Sequence, residues 1–156
     1  KKKDIKQRLM DKKKPKKVFV QGAIPPEKIA TSIANHQSKT DIGAHSIFLG
    51  QIRADEIDGK TVSAIHYSAY EEMAENVFHE IREAAFSKFD ITCAHIYHSL
   101  GVVKTGEICL FVFTSSAHRK IAIEACNYFV EEIKANVPIF GKEIFEDETH
   151  QWKVNK

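Results

Sequence analysis

The sequence predicts an α+β domain in which a mixed or antiparallel sheet is packed by two long helices. Three observations carry this. Short apolar or alternating runs recur, separated by turn residues. Two long segments repeat apolar residues at three- and four-residue spacing. The strand-like runs also adjoin as hairpin-like pairs between those segments, which is the α+β pattern.

Each element has a local reason. Residues 18–20 begin a short β run. Pro25 and Pro26 open a short helix, where a missing N–H does no harm. Residues 43–52 are apolar and read as a strand, and the charged loop 54–60 carries Asp58-Gly59 as its turn signal. Residues 61–70 alternate, so they are expected to pair with 43–52 in a long hairpin. Residues 71–86 are helical, with Met73, Val77, Ile81 and Ala84 as the expected buried stripe. Residues 91–98 form a strand, and Lys104-Thr105-Gly106-Glu107 a turn. Residues 108–113 (ICLFVF) form a continuous apolar strand expected to be central and buried. Ser115 or Ser116 is expected to cap a helix reaching about Asn136. Its stripe is Ile121, Ala125, Phe129, Ile133 and Val137, and Pro138 stops it. A last strand over 142–145 precedes an acidic turn and Trp152.

Composition narrows the class. A chain of 156 residues with 43% hydrophobic content and ten Phe can bury the core of one domain, which excludes a wholly disordered chain. No apolar run approaches the ~20 residues of a membrane span, and no signal-peptide pattern is seen, so a cytoplasmic protein is expected. Cys93, Cys109 and Cys126 fit no zinc or redox spacing and read as small buried hydrophobes in a reducing cytosol. The formal charge of +2 hides an asymmetry. Residues 1–17 hold nine Lys, one Arg and two Asp, a net +8, which leaves −6 on the remainder. The chain therefore divides into a basic extension, 1–17, and a domain, 18–156. The extension is either a solubilising tail or an electrostatic contact to nucleic acid or a membrane surface, and the acidic body argues against extended nucleic-acid binding.

Chemistry concentrates at the junction 113–120. A buried strand feeds a helix whose first turn carries His118, Arg119 and Lys120. Basic residues there oppose the macrodipole, so helix stability does not place them. The free N–H groups and Arg119 suit an anion or phosphate; the alternative is a solvated helix start with incidental charge. Arg53, at a strand–loop boundary, can reach a ligand or simply be solvated. Lys134 is favoured by the helix dipole, and Lys134 and Lys142 could also act in proton transfer. His95 and His98, three apart on a strand, face opposite ways and cannot share a metal. No Gly-rich phosphate loop, paired-carboxylate site or Ser nucleophile elbow is present.

Five blocks in order resemble the large, catalytic subunit of molybdopterin synthase. GAHSIFLGQIR (43–53) is similar to that family's strand-to-arginine segment, and Tyr67 to Ala74 to its "YEAYxxMA". His98-Ser99-Leu100-Gly101 with Gly106-Glu107 is similar to "HRIG…GE", 115–119 (SSAHR) to "SSxHR", and 133–143 (IKANVPIFGKE) to "IKxxVPIWKKE". They run through roughly 18–152. The resemblance implies an α/β-hammerhead-type domain that forms a central homodimer within a heterotetramer. Each protomer would bind a small ubiquitin-like sulfur-carrier subunit whose C-terminal Gly-Gly thiocarboxylate enters a pocket. Its sulfur attacks cyclic pyranopterin monophosphate, and two transfers generate the dithiolene. By the same resemblance, His118 and Arg119 hold the substrate phosphate, Arg53 reaches the neighbouring protomer's site, and Lys134 meets the carrier's C-terminus or moves a proton, with Arg119 as the nearby cation. No cofactor or metal is implied.

The final block departs from the family pattern. The second pocket lysine of "WKKE" falls on Gly141, with Lys142 after it. Either Lys142 swings in, or one lysine suffices, or turnover is impaired and the chain is a dimeric carrier-binding module. Adjacent strand positions point to opposite faces, which makes substitution by Lys142 costly. Ser99 in place of Arg in "HRIG" is a lesser departure.

Overall fold

The computed structural model describes residues 17–155. In chain order it contains β1 (Phe19–Gln21), α1 (Pro26–His36), β2 (Ala44–Gln51), β3 (Glu56–Ile57), β4 (Lys60–Ala69), α2 (Glu71–Lys88), β5 (Cys93–Lys104), β6 (Ile108–Ser116), α3 (Arg119–Asn136), β7 (Ile139–Phe145) and β8 (His150–Trp152). The α+β class is as expected. The basic extension 1–17 lies, apart from Lys17, outside the described residues.

The strands form one sheet in the order β2-β6-β5-β4-β7-β8, with β1 added to β5 and β3 to β4. The β1–β5 pairing is parallel and the others are antiparallel, so the sheet is mixed. The long hairpin expected between 43–52 and 61–70 does not form. Instead β2 pairs along its whole length with β6, from Ala44↔Ser116 to Gln51↔Ile108. The β4 strand turns back only on the two-residue β3, through Asp58 and Gly59, both at positive φ (51° and 78°) as a two-residue hairpin turn requires.

β6 explains the layering. Its run is apolar at every position because both faces are covered. Leu110 and Val112 join the core beneath α2 and α3, with Phe78, Ile81, Ala85, Ala125, Phe129 and Ile133. Phe111 and Phe113 face the other way and pack with Ile24 beside α1. β5 runs six residues beyond its expected boundary at His98, to Lys104, pairing first with β6 and then, from Gly101 on, with β4. Gly101 sits at φ +82°, a left-handed value that bends the strand between its two partners.

Both long helices are 18 residues. The stripe of α3 is as expected, with Ala125, Phe129 and Ile133 buried and Ile121 and Val137 packed against them. In α2 the buried line is Ala74, Phe78, Ile81 and Ala85; Met73 and Ala84 are exposed, one position off the expected stripe. Phe78, not Met73, supplies the large apolar knob. Neither Ser115 nor Ser116 caps α3: both are buried in β6, and His118 holds the N-cap without a side-chain bond. The Ser116 hydroxyl instead accepts from the His118 N–H at 3.2 Å.

Phe129 has no exposed surface and joins α3 to the sheet. Phe129→Ala should cost about 3–5 kcal/mol in urea unfolding. A loss below about 1 kcal/mol would show that this contact is dispensable.

Candidate active site

Pro138 stops α3, and β7 runs back beside β4. Between the helix end and the sheet lies an open cleft. Tyr67 comes from β4, His98 from β5, Lys134 from the last turn of α3, Ile139 and Gly141 from β7, and Lys153 from the segment after β8. The Lys153 backbone N–H donates to the Gly141 carbonyl at 2.7 Å, which fixes this last segment at the cleft.

The electrostatics follow from the walls. Burial holds the Lys134 ammonium below the usual lysine range; Cys109 opposes the shift and Lys153 adds to it. Lys134 remains exposed at the mouth, so water limits this effect. His98 is 3% exposed, and burial lowers its pKa to about 4; its bond to the Ser99 carbonyl opposes the shift and the Lys134 charge adds to it. At neutral pH His98 is therefore an uncharged ring beside a lysine. Burial, then Cys109 and Glu143, push the Tyr67 phenol far above its ordinary value, so Tyr67 keeps its proton.

Of the five residues expected to act, only Lys134 lines this cleft. Lys142 lies on the other face of β7 from Gly141, with Nζ 5.7 Å from the centre of the Trp152 ring. Arg53 is solvent-exposed and pairs with Asp55 at 3.3 Å. His118 and Arg119 stand at the opposite end of α3, and fifteen residues at ~1.5 Å each put them about 22 Å from Lys134 along the axis. Within one chain, then, Arg53, His118, Arg119 and Lys142 are not gathered at the Lys134 cleft. The cation beside Lys134 is Lys153, not Arg119. Sequence reasoning missed Lys153 because it reaches the cleft through the β7–β8 return, which no periodicity reveals. Tyr67 and His98 were legible only as members of motifs.

Gly141 is held by packing. A Cβ there would lie 3.1 Å from Ile65 Cγ2 and 3.3 Å from Tyr67 Cε1. Among the described residues one group has metal-ligand chemistry, His36, Cys93 and His95, and it lies under α1 rather than at the cleft.

A model of the MoaE protein family matches residues 23–136. The chain belongs to that family. The rat molybdopterin synthase catalytic subunit is 40% identical over 114 residues, 73% of this chain and 56% of the relative; the chain thus spans little more than half the length of that protein. The crystal structure of molybdopterin synthase from Staphylococcus aureus superposes with a TM-score of 0.74 at 30% identity, covering 88% of this chain and 96% of that one. A complex of subunits 1 and 2 of molybdopterin-converting factor from Helicobacter pylori shares the fold, with a TM-score of 0.74 at 21% identity over 89% and 90% of the two chains. The family match ends at residue 136, before Gly141.

His98 gives the fold a pH dependence. Its folded pKa lies below the ordinary 6.5, so the unfolded chain binds the proton more readily, and stability falls as pH drops from about 6.5 to about 4. The loss approaches about 3 kcal/mol. Urea midpoints of the parent and His98→Gln across that window should diverge, with the variant flatter; parallel curves would remove His98 as the cause.

Proposed function

We propose that the chain is the catalytic subunit of a molybdopterin synthase, acting in molybdenum cofactor biosynthesis in the cytoplasm. It moves sulfur from the thiocarboxylated C-terminus of a small carrier subunit to cyclic pyranopterin monophosphate. The observation that supports this reading best is the cleft, where Lys134 and Lys153 stand over a glycine wall in a member of the MoaE protein family. Gly141 presents only backbone to the cleft, where the carrier's glycine-ended tail would lie. Exposed Tyr70, Met73, Phe140 and Trp152 offer apolar surface on the flanking elements. There we place the carrier; the Helicobacter pylori complex of subunits 1 and 2 of molybdopterin-converting factor supports a second subunit.

Lys134 contacts the carrier's terminus and moves a proton, and its lowered pKa suits that exchange. Lys153 supplies the second positive charge in place of the lysine missing at position 141. Lys142 belongs to the docking face, above Trp152. The presence of Lys153 weighs against a turnover-deficient carrier-binding module. His118 and Arg119, about 22 Å away along α3, serve the phosphate of the site on a second protomer, and Arg53 likewise reaches across. β2 supports self-association: it is the outer strand of its end of the sheet, and Ile47 and Leu49 are exposed on it.

With thiocarboxylated carrier and cyclic pyranopterin monophosphate, the chain should form molybdopterin; no product would refute the assignment. Lys134→Ala should slow turnover by about 10²–10⁴-fold while the chain stays folded. Lys153→Ala should cost more than Lys142→Ala, and the reverse order would return the second charge to Lys142. Gly141→Lys should fail to raise activity, because its Cβ crowds Ile65 and Tyr67. Mixing inactive Lys134→Ala with inactive Arg119→Ala should restore about a quarter of parent activity, since about half the dimers are hybrids with one intact composite site. No recovery would place both residues in one protomer's site.

A further inference from the structure

One polar cluster takes no part in the cleft. β5 projects Cys93 and His95 to one face, two residues apart on a period-two strand. α1 ends over that face, and its last residue, His36, descends onto them. His36 Nε2 lies 3.0 Å from His95 Nε2, and the ligand atoms of His36, Cys93 and His95 all fall within 4.8 Å of one another. His36 and Cys93 are buried and His95 is half-buried. Phe113 packs 4.9 Å from the His36 ring as an apolar wall.

Two details favour a cation. His36 Nδ1 sits 2.6 Å from the Ser32 carbonyl. A carbonyl only accepts, so Nδ1 carries the proton and Nε2 presents its lone pair to the cluster. A bond from the distal nitrogen to a backbone carbonyl is how metal-binding histidines are oriented. In addition, Lys39 Nζ lies 3.0 Å from Cys93 Sγ, so a positive charge already stands against the sulfur.

We propose that His36, Cys93 and His95 bind one zinc ion, which pins the end of α1 to the sheet. One thiolate and two imidazoles suit this borderline-soft metal, and water completes the tetrahedron. On binding, the Cys93 thiol releases its proton to solvent and its lone pair bonds the metal. Without metal, His95 Nε2–H donates to His36 Nε2; on binding, the His95 proton moves to Nδ1 and Nε2 bonds the metal. Lys39, exposed on the turn after α1, moves out to water and the metal takes over its charge. The site faces α1 while His98 faces the cleft, so the ion is independent of the sulfur-transfer reading.

The chelator-stripped full chain is titrated with Co²⁺ and then Zn²⁺. The expected result is one equivalent bound, a thiolate-to-cobalt charge-transfer band with tetrahedral d–d absorption, displacement by zinc, and a zinc-dependent rise in Tm. Cys93→Ser should abolish the charge-transfer band. His36→Gln should weaken zinc by more than the ~10–100-fold that loss of a mere orienting partner costs. Lys39→Ala, a surface change, should fold normally and tighten zinc by removing the competing cation. Absence of the band in the parent, its persistence in Cys93→Ser, or an unchanged zinc affinity in Lys39→Ala would each overturn the proposal.

Discussion

The pleat of β5 is the constraint on which the rest of the structure depends. This strand lies between β6 on one side and β1 and β4 on the other, so its register cannot slip without breaking three sets of pairings. Its alternation then separates two chemistries. Cys93 and His95 are held under α1, while His98, three residues on, is held at the cleft beneath the end of α3. A slip of one residue would exchange the two environments and bury each histidine against the wrong neighbours. The bend at Gly101 lets one strand serve both parts of the sheet.

The cleft's character follows from how its charges are mounted. Lys134 hangs from the final turn of α3, where the helix dipole favours a cation, yet its surroundings disfavour one. That conflict makes the ammonium readier to lose its proton. His98 responds in the same direction and stays neutral, and Tyr67 stays protonated. The cleft thus offers hydrogen-bonding groups of fixed protonation around the lysine whose proton is loosened.

Much of this was legible in the sequence, and the parts that were not share a cause. The α3 stripe and the buried β6 run follow from period and composition, and both stand as expected. The α2 stripe stands at Val77 and Ile81 but was off by one at Met73 and Ala84, because Ala74, Phe78 and Ala85 complete the buried line. The β2–β4 hairpin failed because neighbours in the chain need not be neighbours in the sheet: β6 offered β2 a full-length partner, whereas β4 lay between β5 and β7. Arg119 and Lys134 do not meet within one chain, for a simpler reason. Arg119 and Lys134 occupy opposite ends of one rigid helix, a separation that helix geometry fixes once both are placed on it. Lys153 and the His36–Cys93–His95 cluster depend on tertiary return paths, which leave no mark on local pattern.

The strand that brings Lys153 into place has a kinetic consequence. β8 is three residues long, fully exposed, and paired only with β7 at the sheet's outer edge. Such an edge opens at far lower free energy than a core strand. Lys134, carried by a packed helix, is a permanent fixture of the cleft, whereas Lys153 is present in proportion to the time β8 stays zipped. The local field therefore has a static component and a fluctuating one. Anything that clamps β8 onto β7 raises the average positive potential without adding a single charge.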